Sequence, residues 1–219
     1  MKSINPNARI SVVSGLYAIT PDENDTVELL RKVRLALKGG ARVLQYRNKA
    51  VDPALRREQA GALRGLTHEI AAVLIVNDDA ALARQVAADG VHLGGSDGSV
   101  AEARAILGRD KIIGVSCYNR LQVAQEAVLQ GADYVAFGSF FSSTVKPDAV
   151  VATLGLLRQA RHELAVPLVA IGGITAQNGA QVIEAGADAL AVISAVFSAS
   201  DIEGAARRFS NLFEQGKPA

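Results

Sequence analysis

The sequence has no tryptophan, one cysteine and three histidines, and aromatic residues make up only 5% of its 219 positions. A lone cysteine, Cys117, cannot close an internal disulfide, which suits a reducing compartment and makes the cytoplasm the expected location. His68, His92 and His162 show no metal-ligand spacing with one another or with Cys117, which argues against a zinc centre. Their scarcity also argues against histidine-driven nucleophilic catalysis, and the GVSCY run around Ser116 is not a nucleophile elbow. So few aromatics leave no stacking platform for single-stranded nucleic acid. Charge of either sign is not in excess: 23 Lys and Arg against 22 Asp and Glu leave a formal charge of +1. No global field draws the chain to nucleic acid or an anionic membrane, so any anion site must be local. No uncharged apolar run approaches the roughly 18 residues that span a bilayer. Residues 1–13, read as an N-terminal extension, are too weakly apolar for a secretory signal. Neither a nucleic-acid nor a membrane partner is expected; assembly into a homo-oligomer is left open.

What is present is a regular alternation. Hydrophobic residues make up 49% of the chain, and they gather in short runs of strand length separated by longer helix-forming stretches, the sign of βα units on a parallel sheet. Eight such runs occur: Leu16–Ile19, Val43–Tyr46, Val73–Val76, Gly90–Leu93, Ile112–Val115, Tyr134–Phe137, Leu168–Ile171 and Ala189–Ile193. A weak repeat supports the count, as GGARVLQ from Gly39, AADGVHL from Ala87, GADYVAF from Gly131 and GADALAV from Gly186. Each reads as a helix end, a tight turn and a buried strand. Thr26–Lys38 and Leu121–Gln130 carry the apolar spacing of helices packed on a sheet. An open doubly wound sheet would place a glycine-rich phosphate loop after an early strand, but the first turn reads Thr20, Pro21, Asp22, Glu23. The glycine pair, Gly172 and Gly173, instead follows the seventh strand, where barrels commonly bind phosphate. The expected fold is therefore a single (β/α)8 barrel, an α/β TIM barrel, forming one domain over residues 1–219.

The unusual polar residues fall at or just beyond the strand C-termini, the face on which barrel active sites are built. After the second strand, Gln45, Arg47 and Lys49 alternate, so their side chains can point one way. Two cations and an amide there suit a diphosphate and a polar ring, although a solvated strand end would look the same. The third strand ends in Asn77, Asp78 and Asp79, where one carboxylate serves as a helix cap. Asp97 follows the fourth. Asp78 and Asp97 leave neighbouring strands, so their carboxylates can approach, and two hard oxygen ligands beside cations are how a protein shares magnesium with a diphosphate. His92 reads as a barrel-interior residue satisfied by hydrogen bonds, and His68 and His162 as helix-surface residues. After the sixth strand, Gly138 to Pro147 offers hydroxyls and Lys146 as donors. Backbone N–H groups after strands seven and eight, at Gly173 and at Ile193–Ser194, can hold a phosphate monoester.

Taken in order, LYAITPD, QYRNK, VND, DGVHLGGSDG, IIGVSCY, ADYVAFGSFF, TVKP, VAIGGI and GADALAVIS resemble thiamine phosphate synthases over nearly the whole chain. The resemblance implies that Gln45, Arg47, Lys49, Asn77, Ser116 and Lys146 bind an aminopyrimidine diphosphate, with Arg47, Lys49, Ser116 and Lys146 acting in catalysis. It also implies that Asp78 and Asp97 hold one Mg2+ per subunit, and that Ser143, Thr144, Val145, Gly173, Ile193 and Ser194 receive a thiazole phosphate. That family commonly has Thr-x-Thr-Lys after the sixth strand; here Ser143 keeps a hydroxyl and Val145 lacks one, which leaves the contact to its backbone or to Thr144. The implied reaction is dissociative: diphosphate leaves, and the thiazole nitrogen captures the pyrimidine methylene cation. Two rivals share the phosphate loops, a sister barrel that tautomerises the thiazole phosphate and a non-catalytic phosphate-ligand sensor. The tautomerase needs neither the diphosphate cations nor two metal carboxylates, and the sensor would show tight phosphate binding without turnover.

Overall fold

The structure is a computed structural model that describes residues 12–95, 97–141 and 151–215. Eight strands, β1 (Gly15–Ile19), β2 (Val43–Tyr46), β3 (Val73–Asn77), β4 (Gly90–Leu93), β5 (Ile112–Tyr118), β6 (Tyr134–Gly138), β7 (Leu168–Ile171) and β8 (Ala189–Val192), form a closed barrel. They stand in chain order, each paired in parallel with its neighbours, and β8 returns to β1. Closure leaves no strand edge to protect. The expected barrel is the observed one, with strand limits shifted by a few residues. β5 runs on to Tyr118 through an irregularity after Ser116. β8 stops at Val192, because Ile193 turns to ψ −86° and becomes the cap of the next helix.

Nine helices are present among the described residues: α1 (Thr26–Lys38), α2 (Pro53–Glu69), α3 (Ala80–Gln85), α4 (Val100–Leu107), α5 (Leu121–Leu129), α6 (Leu154–Glu163), α7 (Gly179–Glu184), α8 (Ser194–Phe197) and α9 (Ile202–Gln215). Several start on side-chain caps that satisfy otherwise orphaned amides. Asp25 caps α1, Asp52 caps α2 ahead of Pro53, Asp79 caps α3, and Ser99 with Glu102 forms a capping box on α4.

Strand parity divides the core. On β1, Leu16 and Ala18 face the helices, whereas Tyr17 and Ile19 fill the lumen. Val43, Ile75, Tyr134, Val169 and Ala191 join them in the lumen, and Val13, from the expected N-terminal extension, is buried in the same cluster. The rest of that extension up to residue 11 lies outside the described residues.

The repeat has a structural cause. Asp89, Asp133 and Asp188 each stand one residue before an even-numbered strand. Each carboxylate accepts from an amide of the preceding odd strand, at Leu74, Ile113 and Leu168 respectively. Each also pairs with an arginine of the helix before that odd strand: Arg64, Arg104 and Arg161. These three clamps tie two strands and a helix at the barrel's N-terminal end. Two residues earlier the chain takes positive φ, at Ala87, Gly131 and Gly186. In the first repeat the equivalent residue is Gly40, not Gly39, with φ 102°, so the sequence register is off by one residue there and Arg42 stands where the others have Asp.

Candidate active site

At the C-terminal rim the β1 and β2 loops are laced together. Buried Thr20 donates from Oγ1 to the Arg47 carbonyl and accepts from the Arg47 amide, both at 2.8 Å. Asn48 and Gln59 each donate a side-chain amide hydrogen to the Glu23 carbonyl, and Tyr46 donates to Gln59. Asp22 accepts from the Lys49 amide at 2.8 Å and pairs with the Arg47 guanidinium at 3.3 Å. Arg47 and Lys49 are thereby aimed from a fixed backbone rather than from a loose strand end.

Neighbouring β3 and β4 supply the carboxylates. Asp78 occupies the left-handed region at φ 64°, a conformation that non-glycine residues adopt at a cost and keep where function fixes it. This turn separates two adjacent acids: Asp79 caps α3, while Asp78 faces the mouth, where Lys49 Nζ lies 3.3 Å from its Oδ2. Asp97 folds back over its own loop and accepts from the Gly94 amide at 3.0 Å. A Cβ at Gly94 would fall 2.4 Å from that carboxylate oxygen, which is why position 94 is a glycine. Asp78 and Asp97 stand close enough for their carboxyl groups to interact directly. Burial, then the adjoining Asp97, pushes the Asp78 carboxyl above its ordinary value, with Lys49 opposing. Two converging carboxylates short of positive charge fit a hard divalent cation that keeps water and substrate oxygens as its other ligands. Among the described residues no group of three or more acidic, His or Cys side chains makes an all-protein metal cage. Arg47, Lys49, Asn77, Asp78 and Asp97 line one cavity of about 810 Å³ at this rim, which runs on toward Arg56 on α2.

Below the rim a chain of hydrogen bonds crosses the lumen. Gln45 Nε2 donates to Tyr17 at 2.9 Å, the hydroxyls of Tyr17 and Tyr134 meet at 2.8 Å, and Tyr134 meets His92 Nδ1 at 2.9 Å. His92 Nε2 meets Ser116 Oγ at 2.8 Å. Gly114 makes room for this crossing, since a Cβ there would lie 2.0 Å from the Tyr134 ring. His92 is interior and hydrogen-bonded as expected, and burial pushes its pKa down to about 4. His68 and His162 are exposed on helices, also as expected. Buried Cys117 is pushed up to about 12 by desolvation, which leaves its thiol inert.

Across the mouth, β7 and β8 present Gly173 and the Ile193–Ser194 turn on adjacent strands. Asn178 holds the first loop by donating to the Gly173 carbonyl and accepting from the Thr175 amide. Ser143, Thr144, Val145 and Lys146 lie outside the described residues. The described residues flanking them are anchored on this rim: Phe141 donates to the Gly172 carbonyl, and Ala152 to that of Ser139. The sequence reading missed Tyr17, Tyr134, Thr20 and Asp22. Tyr17, Thr20 and Asp22 fall inside LYAITPD and Tyr134 inside ADYVAF, segments that marked the family without giving these side chains a role.

Residues 16–196 match the family described as thiamine monophosphate synthase. A thiamine-phosphate synthase of Methylobacillus flagellatus is 56% identical over 92% of this chain and 96% of its own length. One from Nitrosospira multiformis is 51% identical over 93% and 87%. The solved thiamine phosphate pyrophosphorylase of Pyrococcus furiosus superposes with a TM-score of 0.85 at 38% identity, covering 95% of this chain and 98% of that one. With the paired carboxylates and cations gathered at the mouth of a closed eight-stranded barrel, the chain belongs to the thiamine monophosphate synthase family.

Proposed function

We propose that this protein joins 4-amino-2-methyl-5-(diphosphooxymethyl)pyrimidine to 4-methyl-5-(2-phosphooxyethyl)thiazole, giving thiamine phosphate and diphosphate. The observation that carries the reading is the single cavity in which Arg47 and Lys49 meet Asp78 and Asp97. A site for a phosphate monoester alone would require neither the carboxylates nor both cations, which disfavours the tautomerase; turnover separates this reading from the sensor.

In this reading the methylene C–O bond breaks first and its electron pair leaves with diphosphate. Arg47, Lys49 and Lys146 stabilise the charge that builds on the leaving oxygens. Asp78 and Asp97 would hold one Mg2+, which when bound adds Lewis-acid stabilisation of the diphosphate. Gln45 and Asn77 hold the aminopyrimidine, whose amino group feeds electron density to the methylene cation, and Ser116 contacts the same substrate. Gly173, Ile193 and Ser194, together with Ser143, Thr144 and Val145, seat the thiazole phosphate so that the ring nitrogen lone pair forms the new C–N bond. No protein nucleophile takes part; the remaining acceleration comes from holding the two rings in register. The reading carries a cytoplasmic site of action, which the lone cysteine supports. No helix among the described residues is long and apolar enough to cross a membrane.

Mixing both substrates with the protein, with and without Mg2+, tests this directly. Stoichiometric release of diphosphate with thiamine phosphate, dependent on Mg2+, is expected. Thiazole tautomerisation without diphosphate release, or tight binding without turnover, would replace it.

A further inference from the structure

The lumen chain from Gln45 to Ser116 does more than fill space. Its inner members are buried, with Tyr134 fully so, Tyr17 1% exposed, Gln45 4% and His92 8%. Burial holds both tyrosines well above their ordinary range and keeps His92 neutral, so each phenol has one hydrogen to give and the imidazole has one. Four contacts link five groups, and two arrangements satisfy all four without a clash of donors. In the first, Gln45 donates to Tyr17, Tyr17 to Tyr134, Tyr134 to His92 Nδ1, and His92 Nε2–H to Ser116. The Ser116 hydrogen and the Gln45 carbonyl oxygen then remain for the site above. In the second the Gln45 amide turns over, bringing its oxygen to the position Nε2 holds beside Tyr17, and every bond reverses: Ser116 donates inward to Nε2, Nδ1–H to Tyr134, Tyr134 to Tyr17, and Tyr17 to the Gln45 oxygen. The Gln45 amide hydrogens then face the site, and Ser116 has no hydrogen to offer. A mixed sense would bury an unpaired donor or acceptor.

We propose that this relay couples recognition of the pyrimidine ring at Gln45 to the donor state of Ser116, with Tyr17, Tyr134 and His92 as positioning residues. The inference rests on the pyrimidine diphosphate reading of the site. A 4-amino group is a donor and needs the Gln45 oxygen, which selects the first sense and leaves Ser116 able to donate to an acceptor on the bound diphosphate substrate. A 4-oxo ring reverses donor and acceptor at that edge, selects the second sense and disarms Ser116. The site would then reject the oxo ring twice, once at the ring edge and again at Ser116, four short hydrogen bonds along the relay.

The test uses the 4-amino pyrimidine diphosphate and its 4-oxo counterpart as probes of the full chain. Ring-nitrogen NMR reads the His92 tautomer, and the exposed His68 and His162 serve as internal references. The amino compound is expected to give Nε2–H and the oxo compound Nδ1–H. The same tautomer with both compounds, or Nδ1–H with the amino compound, overturns the proposal. In Tyr134→Phe, or in Tyr17→Phe if the first variant folds poorly, the tautomer should cease to follow the ligand. The binding preference for amino over oxo should also fall about tenfold, the size of one net hydrogen bond. An undiminished preference in both variants overturns the coupling while leaving the proposed activity standing. Failure of wild-type protein to bind either compound overturns the underlying reading and the relay with it.

Discussion

Lys49 and Asp78 form an ion pair between neighbouring strand ends at the mouth, with Nζ 3.3 Å from Oδ2. The residue assigned to the diphosphate thus sits on the residue assigned to the metal, and each must release the other when substrate and cation arrive. Lys49 partly neutralises an acidic pair that burial and Asp97 already disfavour. Lys49→Met should therefore raise the affinity of the free protein for Mg2+ or Mn2+, even though it weakens turnover. Because the lysine is 60% exposed, solvent screens the pair, and the gain should not exceed about fivefold, equivalent to ~1 kcal/mol. Calorimetric titration of metal into substrate-free protein checks this; weaker metal binding in the variant would place Lys49 outside the carboxylate field.

Asp78 itself is held at a disadvantage. It sits at φ 64° beside a second carboxylate, so the substrate-free fold bears strain, for which the proposed metal role gives a reason. Asp78→Asn removes the like charge and keeps a residue tolerated in the left-handed region. The variant should melt about 2–4 °C higher than wild type without metal, as follows from ~1 kcal/mol in a chain of this size. Mg2+ should raise the wild-type melting temperature and leave the variant unmoved, and magnesium-dependent diphosphate release should vanish. A variant less stable than wild type in chelator would remove the argument from repulsion.

Much of this site could be read from the chain because barrel strands are buried on both faces. A polar residue that interrupts or ends an apolar run is conspicuous, which is how Gln45, Arg47, Lys49, Asn77, Asp78 and Asp97 could be found. Tyr17 and Tyr134 escaped for the same reason in reverse, since an aromatic inside an apolar run reads as core. Their hydroxyl contact joins positions 117 residues apart, a relation no local pattern carries. Asp22 escaped because an acid in a first turn reads as solvated, whereas here it orders the backbone of Lys49. The repeat was visible through its turns, but the carboxylates within it act on strands some 15 to 20 residues away, so spacing alone could not give them a role.

That role is structural, and it predicts a separation of stability from activity. Asp133 joins the Ile113 amide at 2.8 Å to Arg104 at 2.7 Å, at the end of the barrel opposite the mouth. Asp133→Ala leaves an amide and a half-buried guanidinium without their charged partner, which costs about 1–3 kcal/mol. Urea unfolding should show that loss while kcat and KM at sub-denaturing temperature stay within about twofold. A large fall in kcat with unchanged stability would contradict the assignment of this end to the framework.

Gly114 offers the complementary case, in which packing and the site are inseparable. A methyl group there would sit 2.0 Å from the Tyr134 ring carbon that bears the hydroxyl, so Gly114→Ala forces the ring aside. Overpacking of this kind costs about 1–3 kcal/mol. Adding Tyr134→Leu should restore most of that stability but none of the lost activity, because the hydroxyl between Tyr17 and His92 is gone. Recovery of turnover in the double variant would show that the tyrosine matters only as volume.

His92 gives the fold a pH signature that its ordinary partners would not. Burial lowers its pKa from 6.5 to about 4, with Asp97 opposing weakly and the neutral Tyr134 and Ser116 as its contacts. The unfolded chain therefore binds a proton below about pH 6.5 that the folded chain refuses until about pH 4. Stability rises with pH across that window and is flat above it on this account. The whole effect is about 3 kcal/mol, and roughly 2 of it should be lost between about pH 7.5 and about pH 5. His92→Gln should lose that much less over the same interval by urea unfolding, whatever its stability at neutral pH. Because the imidazole is neutral throughout the physiological range, the activity of the wild type should show no limb near 6.5. A limb there that disappears in His92→Gln would mean that the ring is protonated in the working enzyme, and that the lumen is wetter than its packing implies.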